Sequence, residues 1–199
     1  MGPDGSVYFC DWHDQRTAHP DPDATWDRSN GRVYRLRYGA ATKQKHVDPN
    51  DRTSRQLLSW LSSRNDWKVR RARRVLAERQ DRSIDSDLQQ MLGASDWVVA
   101  RQALWTQASL GTYDKDVPRE LLAHQDDVIR AWAIRLIGDR QSTDAKEPSA
   151  VPASLIEPML EIARTDESPL VISQLAATAQ RLPMHPALQI IRAISERDE

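Results

Sequence analysis

Carboxylates and imidazoles crowd one stretch of the chain: Asp11-Trp12-His13-Asp14-Gln15-Arg16, then His19-Pro20-Asp21-Pro22-Asp23 and Asp27-Arg28. Side chains of this kind at this density can hold a divalent cation or line a polar ligand site. The spacing fits no standard metal loop, because Asp21-x-Asp23 lacks the glycine and closing glutamate of a calcium loop, and His13 with His19 lacks a zinc-type period. A loop ordered by bonds from Asp side chains to backbone is the simpler reading. A second set is cationic: Lys68, Arg70, Arg71, Arg73 and Arg74, flanked by Arg64 and Arg79. Such a cluster can bind phosphate, nucleic acid or an acidic partner, or form a solvated and acid-paired face. A third set is aromatic, since the chain spends seven Trp against one Phe. Rings of that size fill gaps between stacked helices or offer a stacking surface to a ligand. No nucleophile elbow, phosphate-binding glycine loop, dinucleotide fingerprint or HExxH motif appears. No catalytic residue, metal ligand or cofactor is therefore assigned, and the chain is not read as an enzyme on its own.

The elements that position these residues repeat. Asp66-Trp67-Lys68-Val69-Arg70-Arg71-Ala72 is followed thirty residues later by Asp96-Trp97-Val98-Val99-Ala100-Arg101, and thirty later by Asp126-Asp127-Val128-Ile129-Arg130-Ala131-Trp132. A fixed period of this length, each copy opening on a capping Asp, marks stacked helical hairpins. The first helices are expected near residues 53–62, 85–92 and 118–124, and the second near 66–80, 96–110 and 126–140. Pro118 suits a first helical turn. After the Pro-bearing stretch 141–152 comes a less regular fourth pair, 155–164 and 168–182, where Pro158 marks a late start or a kink. A last helix, 186–194, has no partner helix after it, so its apolar face calls for cover or a homotypic contact. Within the basic helix Val69, Ala72, Val75 and Leu76 form the buried stripe, which leaves the cations outside. The later copies turn apolar where a continuous nucleic-acid groove would stay basic. Asp66, Asp96 and Asp126 are expected to cap their helices, and can pair with Arg70 or Arg71, Arg101 and Arg130 as a ladder that sets the stacking.

Residues 1–38 differ in kind. Gly2-Pro3-Asp4-Gly5 and Ser29-Asn30-Gly31 are turn chemistry, and Val7-Tyr8-Phe9-Cys10 and Val33-Tyr34-Arg35-Leu36-Arg37-Tyr38 are β-rich. Met1-Gly2-Pro3-Asp4-Gly5-Ser6 also satisfies the loose myristoylation pattern, but reads better as a turn opening a strand. Cys10 is expected as a small buried hydrophobe. Two strands alone cannot bury a face, so this piece must lean on other structure, with Trp12 and Trp26 as anchors onto the first helices.

The run GPDGSVYFCDWHDQRTAHPDPDATWDRSNGRVYRLRYG, followed by NDWKVRRARRVLAER, resembles bacterial membrane-bound dehydrogenase-like or PVC-type haem-binding CxxCH proteins. The resemblance covers residues 2–38 and the first repeats. It implies the end of a β-propeller like that of quinoprotein sugar dehydrogenases, then HEAT-like repeats, with a cytochrome c domain often following. Asp11, His13, Asp14 and Arg16 would be the residues of functional interest in that loop. Most of a propeller and the CxxCH are missing from this chain, so the resemblance implies a fragment or truncated relative.

Composition frames these readings. Twenty-eight Lys plus Arg against 29 Asp plus Glu give a formal net charge of −1, which disfavours work by global attraction to nucleic acid or anionic membrane. No apolar run is long enough to cross a bilayer. The chain is expected to be cytoplasmic if complete, and exported if part of the family it resembles. The fold expected is mainly α, a HEAT-like solenoid of about four hairpins at 53–199, joined by a linker at 39–52 to the β segment at 1–38. Three functions stand: a protein-binding or scaffolding module acting on a partner, a neighbouring domain or a second copy through the last helix; part of a quinoprotein-like sugar or alcohol dehydrogenase passing electrons to a cytochrome c domain; and a nucleic-acid-binding solenoid.

Overall fold

The structure is a computed structural model, and it describes residues 2–11, 31–39, 47–111, 119–139 and 151–198. The chain is mainly helical, with a short antiparallel β pair near its start and helical hairpins packed in a solenoid-like way. It divides into two compact units, Met1–Val75 and Leu76–Glu199.

In the first unit, β1 (Val7–Cys10) pairs antiparallel with β2 (Val33–Leu36), Val7 opposite Leu36 and Phe9 opposite Tyr34. The turn before β1 is built as the sequence suggests. The Asp4 carboxylate accepts from the Ser6 N–H at 3.0 Å and the Ser6 hydroxyl at 2.8 Å, and Gly5 takes the left-handed φ of +79°. Every residue of both strands is exposed, Cys10 included, because among the described residues no third strand or covering helix packs on the β1–β2 pair. The buried Cys10 expected from composition is thus corrected. Helix α1 (Ser54–Leu61) starts at a capping box: Thr53 Oγ1 accepts from the Gln56 N–H and Gln56 Oε1 accepts from the Thr53 N–H. It buries Leu57, Leu58 and Leu61. Helix α2 (Asp66–Arg79) follows a four-residue turn. Asn65 in that turn donates to the carbonyls of Gly2 at 3.1 Å and Pro3 at 3.3 Å, tying the chain start to the α1–α2 connection. The anchors expected for this role, Trp12 and Trp26, lie outside the described residues, as does Pro118.

The second unit takes in the last turn of α2, then α3 (Asp85–Leu92), α4 (Trp97–Ser109), α5 (Arg119–Leu122), α6 (Asp127–Asp139), α7 (Ala153–Thr165), α8 (Pro169–Ala179) and α9 (Met184–Ser195). Neighbours in sequence form hairpins: α3 with α4, α5 with α6, α7 with α8. The hairpins then stack as two layers, α4 on α6 on α8 and α5 on α7 on α9. Leu88, Leu104, Ile129, Ile134, Met159, Leu175 and Ile190 fill the space between them, all essentially inaccessible. This is how repeats that cannot bury a face alone become stable.

Of the two readings of Pro158, the late start is corrected, because α7 begins at Ala153 and continues through it. The last helix, α9, packs back on α7 and α8 and buries Pro186, Ile190 and Ala193, while Met184, Leu188 and Ile191 stay exposed.

Candidate functional site

The second helices carry the residues with the most chemistry, and their starts fix where those residues point. The Asp96 carboxylate accepts from the Val98 N–H at 2.9 Å, and the Asp126 carboxylate from those of Val128 at 3.0 Å and Ile129 at 3.3 Å. These bonds satisfy donors that the first turn leaves without intrahelical partners. In the first copy the residue in this place is Asn65, whose Oδ1 accepts from the Trp67 N–H at 3.0 Å. Asp66, expected as the cap, instead stands in the first turn of α2. The first step of the repeat, measured cap to cap, is therefore one residue longer than the thirty that the Asp-Trp pairs suggest. Burial agrees: Val69, Ala72, Val75 and Leu76 correspond to Ala100, Ala103, Thr106 and Gln107, all buried.

The expected Asp–Arg ladder is present at one rung, Asp66 with Arg70 at 3.0 Å, an exposed pair. The other two arginines go elsewhere. Arg101 lies over the rings of Trp97 and Trp105, 4.6 and 4.8 Å from their centroids. Spacing is the cause, since residues four apart on a helix sit one above the other and Trp97, Arg101 and Trp105 follow that rule. Arg130 makes a two-pronged pair with Asp166 at the α7–α8 turn, Nε to Oδ2 at 2.7 Å and Nη2 to Oδ1 at 3.0 Å. It also donates to the carbonyls of His124 and Gln125. Asp126 is occupied as a cap, so the partner comes from the next copy. That partner stands at the C-terminal end of α7, and its Oδ1 also accepts from the N–H of Ser168, the residue that precedes α8, at 2.9 Å. The hydrogen bond to Asp166 raises the Arg130 pKa above its ordinary value. Burial works to raise that of Asp166, but the bonds from Arg130 and Ser168 and the charges of Arg130 and Arg197 hold it lower.

On α6 the Trp132 ring meets Trp105 edge to face at 4.6 Å, and Arg135 lies 4.9 Å from the Trp132 centroid. Trp97, Arg101, Trp105, Trp132 and Arg135 thus make one continuous aromatic and cationic strip across two helices, each residue at least partly exposed. Trp105 and Trp132 do the inter-repeat packing expected of tryptophan, while Trp97 stays 40% exposed at the end of the strip. Beside it Ala94, Ser95, Trp97, His124, Gln125 and Asp126 line an open cleft of about 230 Å³. Arg101, Arg135, His124 and Asp166 were not singled out as site residues by the sequence; the Trp97-x3-Arg101-x3-Trp105 spacing is the signal that could have revealed the strip.

The cations of α2 are engaged rather than free. Arg70 pairs with Asp66, Lys68 lies 5.8 Å from the Trp60 ring and Arg71 5.8 Å from the Trp67 ring, and Arg73 and Arg74 also have partners. Of the N-terminal loop, Asp11 is exposed and donates its N–H to the Arg32 carbonyl at 2.8 Å. His13, Asp14 and Arg16 lie outside the described residues. Among the described residues no three His, Cys, Asp or Glu side chains gather as a metal would need, and no helix is long and apolar enough to cross a membrane. No family model, curated protein or solved structure matches the chain.

Proposed function

We propose that the chain is a non-enzymatic protein-binding or scaffolding module of HEAT-like repeats, and that the strip on α4 and α6 is its partner surface. The observation that supports this is the Trp97–Arg101–Trp105–Trp132–Arg135 strip. Trp and Arg are the side chains that most often dominate protein interfaces, because they present large rigid area and keep a polar edge. Here stacking already fixes the Arg101 and Arg135 rotamers, so binding would immobilise less. The nucleic-acid reading has less to support it, since the α2 cations are paired or stacked.

The test is quantitative capture from source-cell lysate with wild type and with Trp97→Ala/Arg135→Ala, both residues being exposed. A prey depleted at least about 10-fold by the double substitution supports the surface. A prey set indifferent to it overturns the assignment.

A second reading, as part of a quinoprotein-like dehydrogenase delivering electrons to a cytochrome c domain, is favoured by the β hairpin. Val7, Tyr8, Phe9, Val33, Tyr34 and Leu36 are each at least 40% exposed, on a pair of strands that a larger sheet would bury. An in-frame β-rich region before Met1 together with a CxxCH after Glu199 in the genomic DNA would favour this reading over the scaffold.

A further inference from the structure

Helix α9 is apolar on two opposite sides. At about 100° per residue, Pro186, Ile190 and Ala193 fall within about 60° of one another, and these three are the buried residues of the helix. Met184, Leu188 and Ile191 make a second stripe on the other side with the i, i+4, i+7 spacing of a helix–helix seam. That stripe is exposed: 78% at Met184, 63% at Leu188 and 42% at Ile191. A helix apolar on both sides belongs between two packed layers, and among the described residues of its unit only one side is covered.

The polar residues flanking the stripe indicate what the second layer is. His185, Gln189, Arg192 and Glu196 lie along one flank, with basic character early and the acid late. In an antiparallel pair of identical helices, like flanks meet and sequence positions run in opposite directions. Pairing Leu188 with Ile191 of the other copy then brings His185 towards Glu196 and Gln189 towards Arg192. Arg192 already holds Glu196 from its own helix at 2.6 Å, so the carboxylate is pre-placed and needs little ordering. A parallel two-fold pairing would instead set this flank against the opposite one, which carries Ala187 and Ile194 and offers His185 and Glu196 no charged partner. The stripe and the flank therefore complement themselves in one orientation.

We infer that α9 is a self-association surface, on which a second copy of this chain docks antiparallel through Met184, Leu188 and Ile191, with His185 facing Glu196 across a two-fold axis. The inference uses residues outside the α4–α6 strip, so either can fail alone. With three apolar side chains per copy the dimer is weak, with a Kd on the order of 10 μM.

Sedimentation velocity of the full chain from about 1 to about 200 μM tests it. A concentration-dependent monomer–dimer equilibrium is expected, weakened at least about 10-fold by Leu188→Glu, with the melting curve showing that this exposed substitution leaves the fold intact. His185→Glu should also weaken the dimer, and adding Glu196→Lys to it should restore association. A monomer throughout the range overturns the inference, as does a dimer indifferent to Leu188→Glu. Failure of the charge exchange to restore association overturns the antiparallel register. Capture of the α4–α6 partner should be unchanged in Leu188→Glu, which separates the two surfaces.

Discussion

At the scale of single residues, Arg130 and Asp166 matter most to the second unit. Their side chains are only 17% and 7% exposed, and the pair links α6 to the turn between α7 and α8. An Asp166 pKa below the ordinary value means that the folded carboxyl releases its proton more readily than the unfolded one. The resulting stabilisation is fully present above the unfolded value of about 3.9 and is lost as pH falls through the folded value. The melting temperature of wild type should therefore drop as pH is lowered from about 5 to about 3, and Asp166→Asn should drop less. At neutral pH the same substitution should cost about 2 kcal/mol, because Arg130 is left partly buried beside a neutral group. A parallel pH dependence in the two proteins would show that the pair does not carry the effect. This pair also shows where reading by letters fails: Asp126 looks like the natural partner of Arg130 at i+4, yet its oxygen is already committed to the helix start. The same competition between capping and pairing makes Asn65 rather than Asp66 the cap of α2.

At the scale of elements, α6 and α8 show how neighbouring repeats lock. They run parallel: Ser168 donates to Asp127 at 2.6 Å, Thr178 to the Ile134 carbonyl at 3.4 Å, and Arg181 pairs with Asp139, partners that stand 41, 44 and 42 residues apart. Gly138 permits this approach, since a Cβ there would come 2.8 Å from Thr178 Cγ2 and 3.3 Å from the Arg181 guanidinium. Gly138→Ala would gain up to about 1 kcal/mol of helix propensity, against an overpacking cost of about 1 to 3 kcal/mol. The expected net result is a loss of about 1 kcal/mol, partly recovered by adding Thr178→Ser, which removes the methyl in the way. A Gly138→Ala variant that melts above wild type would contradict this packing. Helices and hairpins were legible in the sequence because caps, apolar stripes and the period agreed. The extra length of the connection before α7 was legible too, but not its consequence, that the α6–α8 contacts run at 41–44 residues rather than thirty. Residue spacing shows that a connection is long, whereas pairing across it depends on how the helices pack. The exposure of β1 and β2 was hidden for a similar reason, because an alternating apolar pattern says that a strand has faces, not what covers them.

At the scale of the whole molecule, each unit has its own logic. The first combines an open β pair with α1 and α2 and holds the chain start through Asn65. The second is a two-layered stack in which ion pairs and close helix contacts join successive hairpins, while the Trp–Arg strip and the outer side of α9 remain exposed. The proposed scaffold role would use that division, with a packed stack inside and large side chains held ready outside. Site-specific photo-crosslinking in the source cells tests this most directly. The photoreactive residue is placed at Val98 or Arg135, in or beside the strip, and at Glu157 or Glu161, exposed on α7 in the other layer, as controls. The expected result is a discrete adduct of the same partner from Val98 and Arg135 and none from Glu157 or Glu161. Adducts that are absent, or the same from all four positions, would contradict a partner surface on α4 and α6.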